Sequence, residues 1–197
     1  MARLLVASLA SGFALFFWGF LSWVILPWHT HTFDQAADEV QFGQVLSGSL
    51  PQTGTYLLPM IPAGKMNEQT QATFAERRQA GPIAIVHFRK EGGPPMEPMM
   101  FAYGIVINIA MGACASLILW LIRGAAMAYQ DRVTLIVLVG LFGAIATYGV
   151  EWNWLIRTDI YTLVNIADQL VGALIVGLIV AAIIPSGAVV SSAARGK

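Results

Sequence analysis

Imidazole and thioether groups are the least expected chemistry in a chain this apolar, which holds three histidines and eight methionines. His29 and His31 are separated by one residue in Trp28-His-Thr-His-Thr-Phe33. His87 lies in Ile85-Val-His-Phe88, and Met96 opens the Met-Glu-Pro-Met-Met100 run. Such borderline and soft donors suit copper. An extended His-x-His places both rings on one face, because side chains alternate along extended backbone. His29, His31, His87 and Met96 are therefore the candidate metal ligands, with copper as the metal; no other cofactor is expected. No HExxH, CxxC or dense Met repeat accompanies them. Nor does the chain contain G-x-S-x-G, S-x-x-K or a phosphate loop, so no catalytic residue and no enzyme is expected.

A second group is defined by one carboxylate. Asp168 falls inside an apolar run, where an ionisable side chain is a functional hypothesis by default. Asn165 and Gly172 share its helical face, and Asn108 lies at a similar depth in another apolar run. With Tyr148 and Glu151, these residues form a candidate ligand or ion site: Asn108, Tyr148, Glu151, Asn165 and Asp168. The competing reading is plain hydrogen bonding between helices, with Asp168 protonated or paired with Arg157.

The elements that must position both groups follow from composition. The chain has 197 residues, 57% of them hydrophobic and 11% charged, with zero formal net charge. Soluble domains carry about 25% charged residues, and the deficit points to a lipid bilayer. The charge balance gives no reason to expect nucleic acid. Four runs reach or approach the roughly 20 residues a bilayer requires. They are transmembrane helix 1 at 4–26, helix 2 at 99–122, helix 3 at 133–150 and helix 4 at 160–184, followed by a tail at 185–197. The first run is long for a signal peptide and lacks a small-residue cleavage site, so it reads as a retained anchor.

Basic residues orient the spans. Arg3, Arg123, Arg132, Arg195 and Lys197 fall on one side, and only Arg157 on the short link opposite. By the positive-inside rule both termini are cytoplasmic and residues 27–98 lie outside. Trp23, Trp28, Trp152 and Trp154 then sit together at the outer boundary. Cys114 is the lone cysteine and the chain has no N-x-Ser/Thr sequon, which suits a bacterial inner membrane.

Within 27–98, Thr32-Phe-Asp-Gln35 reads as a capping box for a helix over about 33–46. Thr55–Leu58 reads as a strand, Asn67 caps a helix over 68–80 closed by Gly81, and Pro82–Phe88 alternates as a second strand. If those strands pair in parallel, the crossover is right-handed. The fold class is thus membrane α-helical: a four-transmembrane-helix bundle with a small α/β (α-β-α-β) extracytoplasmic domain inserted between helices 1 and 2.

Helix packing in lipid relies on small residues. Ser8, Gly12, Gly19 and Ser22 form one stripe on helix 1, and Gly104, Gly112 and Ser116 one on helix 2. Gly140 and Ala144 on helix 3 and Gly172 on helix 4 serve the same purpose. The topology resembles claudin-type proteins and FtsX-type permease subunits, which share four spans, a large first outer loop and cytoplasmic termini. The claudin G-L-W stretch and paired outer cysteines are missing, and topology does not imply function. The functional expectation is a non-enzymatic accessory, scaffold or assembly subunit of an envelope complex, partnered by another membrane protein or by copies of itself. A ligand or ion transport component built on Asp168 and Asn108, and an extracytoplasmic copper protein, are the alternatives.

Overall fold

A computed structural model describes residues 1–187, so most of the 185–197 tail, with Arg195 and Lys197, lies outside the described residues. The chain forms two compact units. One joins Met1–Asp34 to the chain from Met96 onward; the other is Gln35–Pro95.

The first unit is helical. It comprises α1 (Ala2–Phe20), α4 (Pro98–Leu121), α5 (Tyr129–Ala144), α6 (Val150–Leu155) and α7 (Asp159–Ile183). A wide π-helical turn, Leu21–Ile25, prolongs α1, and a second, Ile145–Gly149, joins α5 to α6. Four helices are long and apolar enough to cross a membrane: Ala2–Ile25, Pro98–Leu121, Tyr129–Leu155 and Asp159–Ile183. The chain thus has the build of a multi-pass membrane protein, and each expected span is present within a few residues of its expected limits. The third starts earlier because Arg132 belongs to the helix and not to the preceding link.

In the bundle α1 packs chiefly against α4 and α7, and α5 packs against α7. Small residues set these approaches. A Cβ on Gly12 would lie 2.5 Å from Ile109 Cα, and one on Gly112 would lie 2.5 Å from Ser11 Oγ and 2.7 Å from the Ser8 carbonyl. Gly104 faces Phe16, Gly140 faces Ala173, and Gly172 faces Leu15. Ser8 on α1, Ser116 on α4 and Ala144 on α5 are all buried. Gly19 departs from the expected stripe: nothing lies within 4 Å of its Cβ position.

The apolar core lies toward one end of the bundle. Ala7, Leu119, Ile136, Val180 and Ile184 are buried there. At that end Arg132 is buried, and its Nη2 donates to the Ile184 carbonyl at 2.6 Å. This satisfies one of the orphan carbonyls at the end of α7. Phe13, Phe17, Val106, Phe142 and Leu163 are exposed on the outside of the bundle, as a lipid-facing surface requires.

The second unit holds α2 (Glu39–Ser49), β1 (Gly54–Leu58), α3 (Glu68–Ala80) and β2 (Ala84–Phe88). The α-β-α-β order matches expectation, but two details do not. The first helix starts at Glu39 and not near 33, because Asp38 is the cap: its carboxylate accepts from the Gln41 amide at 2.8 Å. Thr32 instead donates its hydroxyl to the His29 carbonyl. The strands pair antiparallel, Thr55 opposite His87 and Leu58 opposite Ala84, so no parallel crossover exists. The nine residues 59–67 are long enough to offset the roughly 20 Å rise of α3, returning the chain to the end of β1 that it left. The Asn67 capping box and the Gly81 terminus, at φ 72°, form where the sequence places them.

Candidate functional site

The polar cluster of the first unit assembles where α1 ends. The wide turn Leu21–Ile25 closes with the Leu26 amide on the Leu21 carbonyl at 2.8 Å. The extra residue in that turn re-aims Ser22, and such turns are frequent at functional sites. Pro27 then starts a reversal that continues into a short 3-10 turn, Thr30–Thr32. The reversal folds Trp28 and His29 back onto the helix that precedes them.

Asp168 is the centre of this cluster. Its Oδ1 accepts from Trp18 Nε1 at 2.8 Å and from the Ser22 hydroxyl at 2.6 Å. Ser22 Oγ also meets Trp28 Nε1 and His29 Nε2, each at 3.0 Å. Trp28 Nε1 is shared with the Ser22 carbonyl. Asp168 Oδ2 lies 3.7 Å from His29 Nε2, too far for a hydrogen bond but close enough for strong electrostatic coupling. Trp23 stacks on His29 with centroids 3.9 Å apart and planes within 9°. Trp28 meets the same imidazole edge-on at 5.4 Å. His29 is 1% exposed, and among the described residues nothing hydrogen-bonds its Nδ1. Burial lowers the His29 pKa from its ordinary 6.5, and the Asp168 charge opposes that shift.

The order is not that of a nucleophilic triad. There the imidazole lies between serine and carboxylate. Here serine lies between carboxylate and imidazole, so the hydroxyl is an anchored donor and not an activated nucleophile.

The sequence-derived ligand set is brought together only in part. Asn108 Nδ2 donates to the Gly104 carbonyl and Asn165 Nδ2 to the Tyr161 carbonyl, each within its own helix. Glu151 pairs with Arg157 at 3.2 Å, so Arg157 is not the partner of Asp168. Tyr148 is within electrostatic reach of Asp168, Glu151 and Tyr161. The partners Asp168 does have, Trp18, Ser22 and His29, come from the α1 side.

Of the metal candidates, His29, His31 and Met96 belong to the first unit and His87 to the second. His31 is exposed while His29 is buried, because Thr30–Thr32 is a 3-10 turn and not extended backbone. The shared face expected of His-x-His therefore does not form. His87 Nδ1 meets Thr55 Oγ1 at 3.1 Å across the strand pair, and Met96 is exposed. Among the described residues no group of three or more His, Cys, Asp or Glu is placed to hold a metal ion. No family model matches the chain, and neither a curated protein nor a solved structure matches it.

Proposed function

We propose that this chain is a bacterial inner-membrane protein that works as a non-enzymatic accessory, scaffold or assembly subunit of an envelope complex. In this reading both termini are cytoplasmic and residues 27–98 are extracytoplasmic, as the basic residues Arg3, Arg123 and Arg132 favour.

One observation carries the reading. Within residues 35–95 only Pro59 is buried. Val40, Phe42 and Val45 of α2 and Leu57 and Leu58 of β1 are all exposed. A unit of this size is marginal even with a full core, and exposed apolar side chains gathered on one short helix mark an interaction surface. Another membrane protein, or a second copy of the chain, completes such a unit by covering α2. The polar groups in the spans support the same reading, because Asn108, Asn165 and Arg132 spend their donors on carbonyls of the bundle itself.

Extraction in a mild detergent tests it. The expected result is a defined partner retained by the natural chain and lost when Phe42 and Val45 are both replaced by Glu, with membrane insertion unchanged. A chain that elutes alone in both cases refutes the reading. The copper alternative draws no support from the geometry. The ion-site alternative is favoured by one feature, the buried His29 beside Asp168.

A further inference from the structure

Donor counting around that feature leads to one arrangement of protons. With Asp168 taken as a carboxylate, which only accepts, the single hydroxyl proton of Ser22 is committed to Oδ1. The two remaining lone pairs of Ser22 Oγ then accept from Trp28 Nε1 and from His29 Nε2. Neutral His29 therefore carries its hydrogen on Nε2. Its Nδ1 is a bare acceptor, nine-tenths buried and more, with no hydrogen-bond partner among the described residues.

We propose that His29, Ser22 and Asp168 form one proton-binding site, in which His29 Nδ1 takes up a proton and the resulting imidazolium transfers its Nε2–H contact from Ser22 to Asp168 Oδ2. One proton enters from solvent, one hydrogen bond changes partner and no other covalent bond changes. The move is short: Nε2 and Oδ2 are 3.7 Å apart, and a charge-assisted contact closes to about 2.8 Å. The stacked indole of Trp23 presents its face to the new cation. The surrounding charges leave Asp168 as the counter-ion. From α7 the facing group is Asp168; Tyr161 packs its ring on Phe33 and lies under the Arg157 guanidinium. Tyr148 approaches from the wide turn after α5. Glu151 and Arg157 are paired with each other, and His31 is exposed. Desolvation holds the transition below the usual histidine value of 6.5. Two arrangements of one hydrogen-bonded cluster thus join the end of α1 to α7, and pH selects between them.

The test is NMR of isotope-labelled histidine in the full chain in lipid nanodiscs, with His31→Gln and His87→Gln used for assignment. The expected result is a neutral His29 protonated on Nε2, titrating below pH 6.5. Asp168→Asn removes the counter-charge, and the midpoint falls by about one pH unit or more. Ser22→Ala keeps the carboxylate but frees Nε2 to pair with it directly, so the midpoint rises. A neutral ring protonated on Nδ1, a midpoint at or above 6.5, or a midpoint unmoved by these substitutions overturns the proposal. Should Asp168→Asn fail to insert, the Ser22→Ala shift decides alone. The site uses none of the α2 residues, so this outcome is independent of the assembly reading.

Discussion

Replacing Gly112 by alanine adds a single methyl group, and the geometry says what that methyl meets. It would lie 2.5 Å from Ser11 Oγ, 2.7 Å from the Ser8 carbonyl and 3.0 Å from the Gly12 amide nitrogen, where ordinary contact begins at 3.4 Å. Two of the three obstacles are backbone, which has no rotamer to retreat into. The helices must therefore separate by several tenths of an ångström, loosening the Gly12–Ile109 contact on the same seam. Overpacking of this kind costs about 1–3 kcal/mol. Gly19→Ala is the matched control. It lies on the same helix as Gly12 with nothing within 4 Å of the added methyl, and alanine gains up to about 1 kcal/mol in helix propensity. Reversible unfolding in mixed micelles under increasing denaturing detergent measures both. Gly112→Ala should unfold earlier than the natural chain by about 1–3 kcal/mol, and Gly19→Ala no earlier. A Gly112→Ala variant as stable as the natural chain refutes the claim that backbone approach holds α1 to α4.

Other perturbations follow from the polar contacts. Asp168→Leu leaves the Trp18 Nε1 and Ser22 donors without their acceptor, at about 1–3 kcal/mol for each orphaned group; Asp168→Asn retains an oxygen there, so the same unfolding assay should show a smaller loss. Arg132→Met removes the donor to the Ile184 carbonyl, and amide exchange in the last turn of α7 should accelerate while that of its first turn does not. The depressed pKa of His29 means that the unfolded chain takes up a proton before the folded one does. Stability should therefore be full above pH 6.5 and fall as pH drops from there to the folded midpoint. His29→Gln should abolish that part of the acid dependence in a pH series of unfolding curves.

The spans were legible because their signal is local: length and the absence of charge suffice. The Asn67 cap and Gly81 terminus of α3 were legible for the same reason. The cap of α2 was not. Thr32 and Asp38 are both competent caps, and only the chain reversal at Pro27, which turns the Thr32 hydroxyl onto the His29 carbonyl, decides between them. Strand direction was equally hidden, since the lead-in 59–67 carries no pattern revealing that it runs back against α3. The place of Asp168 within an apolar helix was readable, but its partner helix was not. Asn108 is next to Ile109, which packs at Gly12, whereas Asp168 binds Trp18 and Ser22 further along the same span, so Asn108 and Asp168 do not share a level of the bundle; α7 makes its main contacts with α1 and α5. Trp18 on α1 and Ser22 in the turn that prolongs it sit one helical turn apart, and both are donors a part-buried carboxylate needs; that spacing was the available signal. The His-x-His spacing suggests one extended segment, but the 3-10 turn separates His29 from His31.

The proposed role stands or falls on what covers α2. A photo-crosslinking side chain placed at Phe42 or Val45 in native membranes, with Glu76 and Arg77 of the polar helix α3 as control positions, measures this directly. The account predicts one discrete adduct of defined mass, either another membrane protein or a dimer of the chain, from the α2 positions and none from the α3 positions. Uncrosslinked chain from all four positions, or the same diffuse products from α2 and α3 alike, would contradict it.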